Sequence, residues 1–291
     1  MYSVQHAARL TGIAPDTLRM WERRYHVVDP QRSDAGYRMY DDAALGRLSA
    51  MSALVAAGWS PRLAAEQVKS GTATVGNAVP APHGPLDLLV SLAADLDPVR
   101  LETELGRAFA SAPFETLVED WLMPALTRLG EAWAAGRGSV AGEHFVSAGV
   151  QRYVARVFDE AEPQPGAPRV LVGLSRASRH ELGVLSFAAL LRRSGVEVVY
   201  IGADVPSDSW VVAAAAASVG HVVLGVPTAE DVPAVRDTVA ALTAAAPDLR
   251  IHVGGSHQDR IGPPAHRLGH GLVAAARGLA ADAGIDPGQL S

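Results

Sequence analysis

Four short apolar runs in the second half of the chain restrict the fold it can adopt. They are RVLVGL at residues 169–174, VEVVYIG at 196–202, HVVLGVP at 221–227 and RIHVGG at 250–255. Each is rich in β-branched residues and bounded by glycine or proline, and segments of helical periodicity separate them. Strands alternating with helices of about 10–15 residues make βαβ units, and these close into a parallel sheet. Ligands of such sheets bind beyond the carboxyl ends of the strands, where a strand feeds a helix. The stretch GLSRASRHELGVLSF, residues 173–187, is such a junction and carries two arginines and a histidine.

The remainder of the chain divides at two linkers. Residues 1–70 are helical and bear arginines, and GTATVGNAVPAPHGP supplies a small, polar linker over 71–85. Residues 86–160 repeat apolar side chains at helical spacing, EAEPQPGAP makes a second linker, and the α/β block spans 168–285. The chain contains no cysteine, which excludes disulfides, thiolate metal sites and a cysteine nucleophile. Its net charge of −6 argues against a nucleic-acid coat over the whole length but says little about one domain. The opening MYSVQHAARLTG is amphipathic rather than apolar, and no run approaches the roughly 20 apolar residues of a membrane helix. The expectation is a cytoplasmic protein.

Two helical segments flank the tight turn Thr11-Gly12-Ile13, with Pro15 near the first position of the second. That helix places Thr17, Arg19 and Arg23 on its polar side, with Leu18 and Trp21 toward the core. A hairpin bearing Arg32, Tyr37 and Arg38 follows, then a third helix capped at Asp41-Asp42. By spacing alone, a winged helix-turn-helix and an ordinary helical domain with a solvated arginine face are both open. The run ARLTGIAPDTLRMWERRY, followed by GYRMYDDAAL, resembles the DNA-binding domain of the MerR family. The resemblance implies that Thr17, Arg19, Arg23, Arg32, Tyr37 and Arg38 contact double-stranded operator DNA. MerR-type dimers usually pair through a long helix after this domain. No heptad seam follows SPRLAAEQVKSG here, so self-association is expected elsewhere in the chain.

His180 ends the loop after the first apolar run, and Gly183 lies in the next helix. From Gly183, 41 residues lead to Gly225-Val226-Pro227, and 26 more lead to Gly254-Gly255. A loop histidine and a helix glycine alone are also compatible with plain structure. The spacing resembles the cobalamin-binding domain, with its Asp-x-His-x-x-Gly, Ser-x-Leu and Gly-Gly pattern. Two positions depart: Ser178 stands at the aspartate, and Gly225-Val226-Pro227 at Ser-x-Leu. The likeness implies a flavodoxin-like Rossmann domain in which His180 is the lower cobalt ligand and Ser178, Gly183, Gly225, Gly254 and Gly255 line the corrin crevice. Arg176 and Arg179 favour the neutral imidazole that a metal requires.

Ahead of this block, Trp133 is followed by nine residues and then Glu143-His144. Taken with the other two blocks, this resembles the CarH- and LitR-type photoreceptors of the MerR family. There a four-helix bundle caps adenosylcobalamin through the tryptophan and contacts the adenosyl group with the Glu-His pair. The family behaviour is a dark tetramer that represses at its operator and falls apart in light. Here Ala134 occupies the place of the histidine that captures cobalt after photolysis. Three alternatives stay open: a light-insensitive cobalamin sensor, a regulator using the crevice for another ligand, and one holding a bilin. Cobalamin-dependent enzymes need a further substrate domain, for which the chain has no residues left, so no enzyme is expected. Asp204, His221, His252 and His257 match no triad or metal spacing.

Overall fold

The structure is a computed structural model that describes residues 1–32, 36–71 and 83–285. The tip of the hairpin and most of the first linker lie outside the described residues. Packing divides the chain into two units, Met1–Glu143 and His144–Ser291.

The first unit opens with strand β1 (Tyr2–Ser3), helix α1 (Val4–Thr11) and helix α2 (Pro15–Tyr25). Gly12 makes the turn between the helices with φ +71°, a conformation that glycine adopts without steric cost. Strands β2 (Gln31–Arg32) and β3 (Arg38–Tyr40) form the wing, followed by helices α3 (Asp42–Ala56) and α4 (Pro61–Lys69). Asp41 caps α3, its carboxylate accepting from the Ala44 amide at 2.7 Å. Leu18, Trp21, Tyr40, Leu48 and Met51 fill the core, which leaves the polar side of α2 outside. The sequence pattern did not reveal β1, whose two residues pair with β3 and complete a three-stranded antiparallel sheet.

The helical block comprises α5 (Leu88–Asp95), α6 (Pro98–Ala110), α7 (Phe114–Leu117), α8 (Met123–Ala134) and α9 (Val140–Glu160). A π-helical turn over Val118–Leu122 joins α7 to α8 in one continuous rod. Pro124 explains the widening: it has no N–H for the ladder, and its ring crowds the carbonyl four residues back. The turn presents Asp120 and Trp121, both buried. Arg62 of α4 grips Asp120 with two parallel bonds, Nε to Oδ1 at 2.5 Å and Nη2 to Oδ2 at 2.6 Å. Trp121 Nε1 donates to the Pro85 carbonyl at 3.3 Å. The winged block is thereby fastened to the rod that carries Trp133. A methyl group on Gly142 would overlap the Ala93 carbonyl, so only glycine lets α9 start against the end of α5.

The second unit holds β4 (Arg169–Leu174), α10 (Glu181–Arg193), β5 (Glu197–Tyr200), α11 (Ser207–Ala217) and β6 (His221–Gly225). It continues through α12 (Val232–Ala245), β7 (Arg250–Gly254), β8 (His266–Arg267) and α13 (Leu272–Asp282). All five strands are parallel, in the order β5-β4-β6-β7-β8. The four apolar runs are β4 to β7. The edge strand β8 has two residues and no alternation, so pattern could not show it. At the amino-terminal edge of the sheet, His221 Nδ1 and His252 Nε2 share a hydrogen bond of 3.0 Å, and His266 leans on His252 with ring centroids 5.7 Å apart.

Two predictions follow from this packing. Arg62→Ala leaves a buried carboxylate without its partner and is expected to cost about 2–3 kcal/mol, read as a lower urea midpoint. Burial first, then His221, His266 and Arg250, lower the His252 pKa from 6.5 to about 4, against the pull of Asp282. Because the folded value lies below the unfolded one, this stability is present above about pH 6.5 and is lost as pH falls toward 4. The loss is about 2–3 kcal/mol over that window. His252→Gln is expected to flatten the acid limb of thermal unfolding measured between pH 7 and 4.

Candidate functional site

The strand order decides where the second unit can take a ligand. Strand β4 lies between β5 and β6, so the chain leaving β4 and the chain leaving β6 turn to opposite faces. That reversal opens the crevice of a doubly wound sheet. His180 stands there, at the N-cap of α10, exposed and with no hydrogen-bond or ion-pair partner among the described residues.

The loop before His180 is held from outside. Ala177 takes φ +66° and its amide donates to Asp204 Oδ1 at 2.6 Å. Asp204, itself at φ +59°, donates its amide to the Ser178 carbonyl at 3.1 Å. Its carboxylate lies 3.7 Å from Arg179, offsetting one of the two loop arginines. Left-handed conformations at non-glycine positions cost free energy and persist where neighbours over-determine them. Asp204 thus does for the backbone of the loop what no residue on the loop itself does. Sequence spacing left it without a role, because it sits after the second strand.

Ser178 is buried, and its hydroxyl finds no hydrogen-bond partner; the same holds for Ser175 and Ser186. Three unsatisfied hydroxyls on one strand–loop–helix stretch cost about 1–3 kcal/mol each. They suit a crevice that takes a polar ligand. Gly183 lies half-buried in the first turn of α10. A Cβ at Gly225 would come 2.5 Å from Leu174 Cδ2, so a side chain at the end of β6 would have to displace that leucine. Gly255 has a different reason: φ +107° and the Val226 carbonyl, which a Cβ would approach to 2.8 Å. Gly254 accepts the Val226 amide at 2.7 Å. An exposed imidazole, small strand ends and buried hydroxyls without a partner among the described residues fit a corrinoid, whose cobalt takes nitrogen donors. His257 is absorbed by structure, its Nδ1 lying 3.2 Å from the Pro227 carbonyl.

Two residues that spacing did not single out tie this loop to α9. Glu181, next to His180, accepts from Gln151 Nε2 of α9 at 3.1 Å and from the Tyr200 hydroxyl of β5 at 2.8 Å. Burial, then the Glu181 carboxylate, raises the Tyr200 pKa, so the phenol stays a donor. His144 lies exposed on α9, two turns before Gln151 and on the same side of the helix. In the first unit, Trp133 ends α8 half-exposed at 52%, an unusual situation for an indole, and Ala134 follows it. Glu143 lies in the first turn of α9.

The DNA reader presents Thr17, Arg19 and Arg23 on the outer side of α2, with Arg19 paired to Asp16 at 2.8 Å. On the wing, Arg32 is exposed and donates to the Gly36 carbonyl at 3.3 Å, and Tyr37 is 71% exposed. Arg38, partly exposed, is paired across to α2: its Nε donates to both oxygens of Glu22 at 2.9 and 3.0 Å, and Tyr40 donates to the same carboxylate at 3.2 Å. Glu22 belongs to α2, so this cluster sets the angle between wing and recognition helix. Burial and Glu22 together raise the Tyr40 pKa to about 12.

Residues 2–69 match the MerR HTH family of regulatory proteins, and residues 86–157 and 168–280 each match a B12-binding domain family. The HTH-type transcriptional repressor CarH of Myxococcus xanthus is 30% identical over 272 residues, 88% of this chain and 91% of that protein. The repressor CarA of the same organism is 30% identical over 206 residues, 70% of this chain and 69% of CarA. Among solved structures, the monomethylamine corrinoid protein of Methanosarcina barkeri superposes with a TM-score of 0.54 at 15% identity, over 68% of this chain and 95% of that one. That likeness speaks to the fold alone. Among the described residues no helix is long and apolar enough to cross a membrane. The chain therefore belongs to the family of MerR-type transcriptional repressors with B12-binding domains that includes CarH and CarA.

Proposed function

We propose that this protein is a DNA-binding repressor whose self-assembly and operator binding respond to adenosylcobalamin and to light. The observation that carries the reading is His180, exposed and unpartnered at the switch point of the sheet. Adenosylcobalamin would supply a cobalt that takes a nitrogen donor and a Co–C bond that light can break. His180 would offer its imidazole, and the crevice of Ser178, Gly183, Gly225, Gly254 and Gly255 would take the corrin tail. By the family resemblance Trp133, Glu143 and His144 would hold the adenosyl group.

The regulatory step is a two-state equilibrium of the chain, biased by whether Trp133, Glu143 and His144 have an adenosyl group to hold. Assembly multiplies DNA contacts, so its loss removes avidity without altering any one contact. In each protomer Thr17, Arg19 and Arg23 read the groove, and Arg32, Tyr37 and Arg38 clamp phosphates beside it. No catalytic role is assigned to any residue.

One observation favours a second reading. Ala134 offers no imidazole to take over the adenosyl side of cobalt, which fits a cobalamin sensor without the usual light response. A single experiment separates the two. The chain is mixed with adenosylcobalamin in darkness, its absorption recorded, and its size measured by chromatography before and after green light. The proposal expects bound corrin and a dark assembly that shrinks on illumination, with one imidazole rather than two on cobalt in the resonance spectrum afterwards. Bound corrin without a size change selects the sensor. No corrin binding rejects both and opens the crevice to other ligands, including a bilin. On the DNA side, Arg32→Ala is expected to weaken binding to all sequences alike and to lower the log K against log salt slope by about 1. A loss confined to one operator sequence would remove Arg32 from the phosphate contacts.

A further inference from the structure

The carboxylate of Glu181 lies between three elements. It follows His180 directly, opens α10, and engages α9 and β5 through separate oxygens: Gln151 Nε2 on Oε2 at 3.1 Å and the Tyr200 hydroxyl on Oε1 at 2.8 Å. An acidic residue in a first helical turn is favoured by the helix dipole and needs no further partner. Two donors from opposite neighbours are more than that role requires. Tyr200 in turn packs against Phe158 of α9, with ring centroids 6.1 Å apart and planes at 53°.

Gln151 and Phe158 are seven residues apart on α9, and His144 is seven residues before Gln151. Residues at this spacing share one side of a helix, each about 10.5 Å along the axis from the next. His144, Gln151 and Phe158 therefore form one stripe, and two of its three members dock on the Glu181–Tyr200 pair. We propose that Glu181 is a positioning residue with two roles: it orients the loop that presents His180, and it sets the register of the α9 stripe that carries His144. Any shift of α9 along its axis must break the Gln151–Glu181 bond or drag the start of α10 with it. Glu181 thus couples the two sides of the proposed cofactor site without touching cobalt. The inference rests on reading His180 as the cobalt ligand.

The test uses the full chain with Glu181→Gln, Tyr200→Phe and Gln151→Leu, and with His180→Ala as the reference for lost ligation. Circular dichroism and melting first establish that each variant folds. The probe is adenosylcobalamin, followed after photolysis under argon by the nitrogen splitting that an imidazole imposes on the cobalt(II) resonance. Glu181→Gln keeps the size of the side chain but cannot accept from both donors. It is expected to bind corrin about 10-fold more weakly. A reduced fraction of imidazole-ligated cobalt should accompany that loss, with Tyr200→Phe changing in the same sense. Gln151→Leu is expected to keep the imidazole splitting yet to make a second substitution, His144→Ala, nearly silent in affinity. In the cofactor-free chain, ultraviolet titration should show the Tyr200 phenol ionising at lower pH in Glu181→Gln, which reports the contact independently of corrin. Wild-type affinity and full imidazole splitting in Glu181→Gln would overturn the inference while leaving His180 as the ligand. A wild-type spectrum identical to that of His180→Ala would overturn the ligand reading, and the inference with it.

Discussion

The parallel pairing of β4 with both β5 and β6 is the constraint on which the second unit depends. Val170, Leu171, Val172 and Leu174 are fully buried, as a central strand covered by helices on both faces must be. A strand in that position has to release its chain at the reversal of the sheet, and so the loop that ends at His180 can only open into the crevice. The strain of that loop is concentrated at Ala177 and is balanced by Asp204, which is also in a left-handed conformation. Rigid strands therefore set where the imidazole stands, and a neighbouring loop sets its approach.

Helix α9 has a second constraint of its own. Its first turns pass so close to Ala93 that only Gly142 fits, and its middle is bonded to Glu181. Each contact fixes its own stretch of the helix, because packed cores and saturated ladders deform little. The same logic applies to the rod made of α7, the π-helical turn and α8. It is clamped to the DNA reader at Asp120 and carries Trp133 at its other end. A π-helical turn is a frequent companion of function, and here Pro124 accounts for it structurally.

In the DNA reader, the Arg38–Glu22–Tyr40 cluster makes wing and recognition helix one body. Arg38 is partly exposed and tied to Glu22, whereas Arg32 and Tyr37 are exposed. The three wing residues looked equivalent in the sequence. Only the position of Glu22, sixteen residues away, distinguishes them.

Much of this protein was written in local pattern. Apolar runs of strand length, Pro15 at a helix start, the Asp41 cap and the His180–Gly183 spacing are all short-range signals, and each acts through the backbone within a few residues. They set the winged reader, the helical block, the parallel sheet and the family. Strands β1 and β8 were not legible, since two-residue strands exist only by pairing with a partner far along the chain. Nor were the roles of Asp204, Glu181, Gln151 and Arg62, whose carboxylate, amide and guanidinium groups reach across elements. Side-chain chemistry is local, but a hydrogen bond between distant residues exists only once the core has brought its two ends together. The sequence alone determined which groups the chain has and which elements carry them. The tertiary structure decided which of those groups meet.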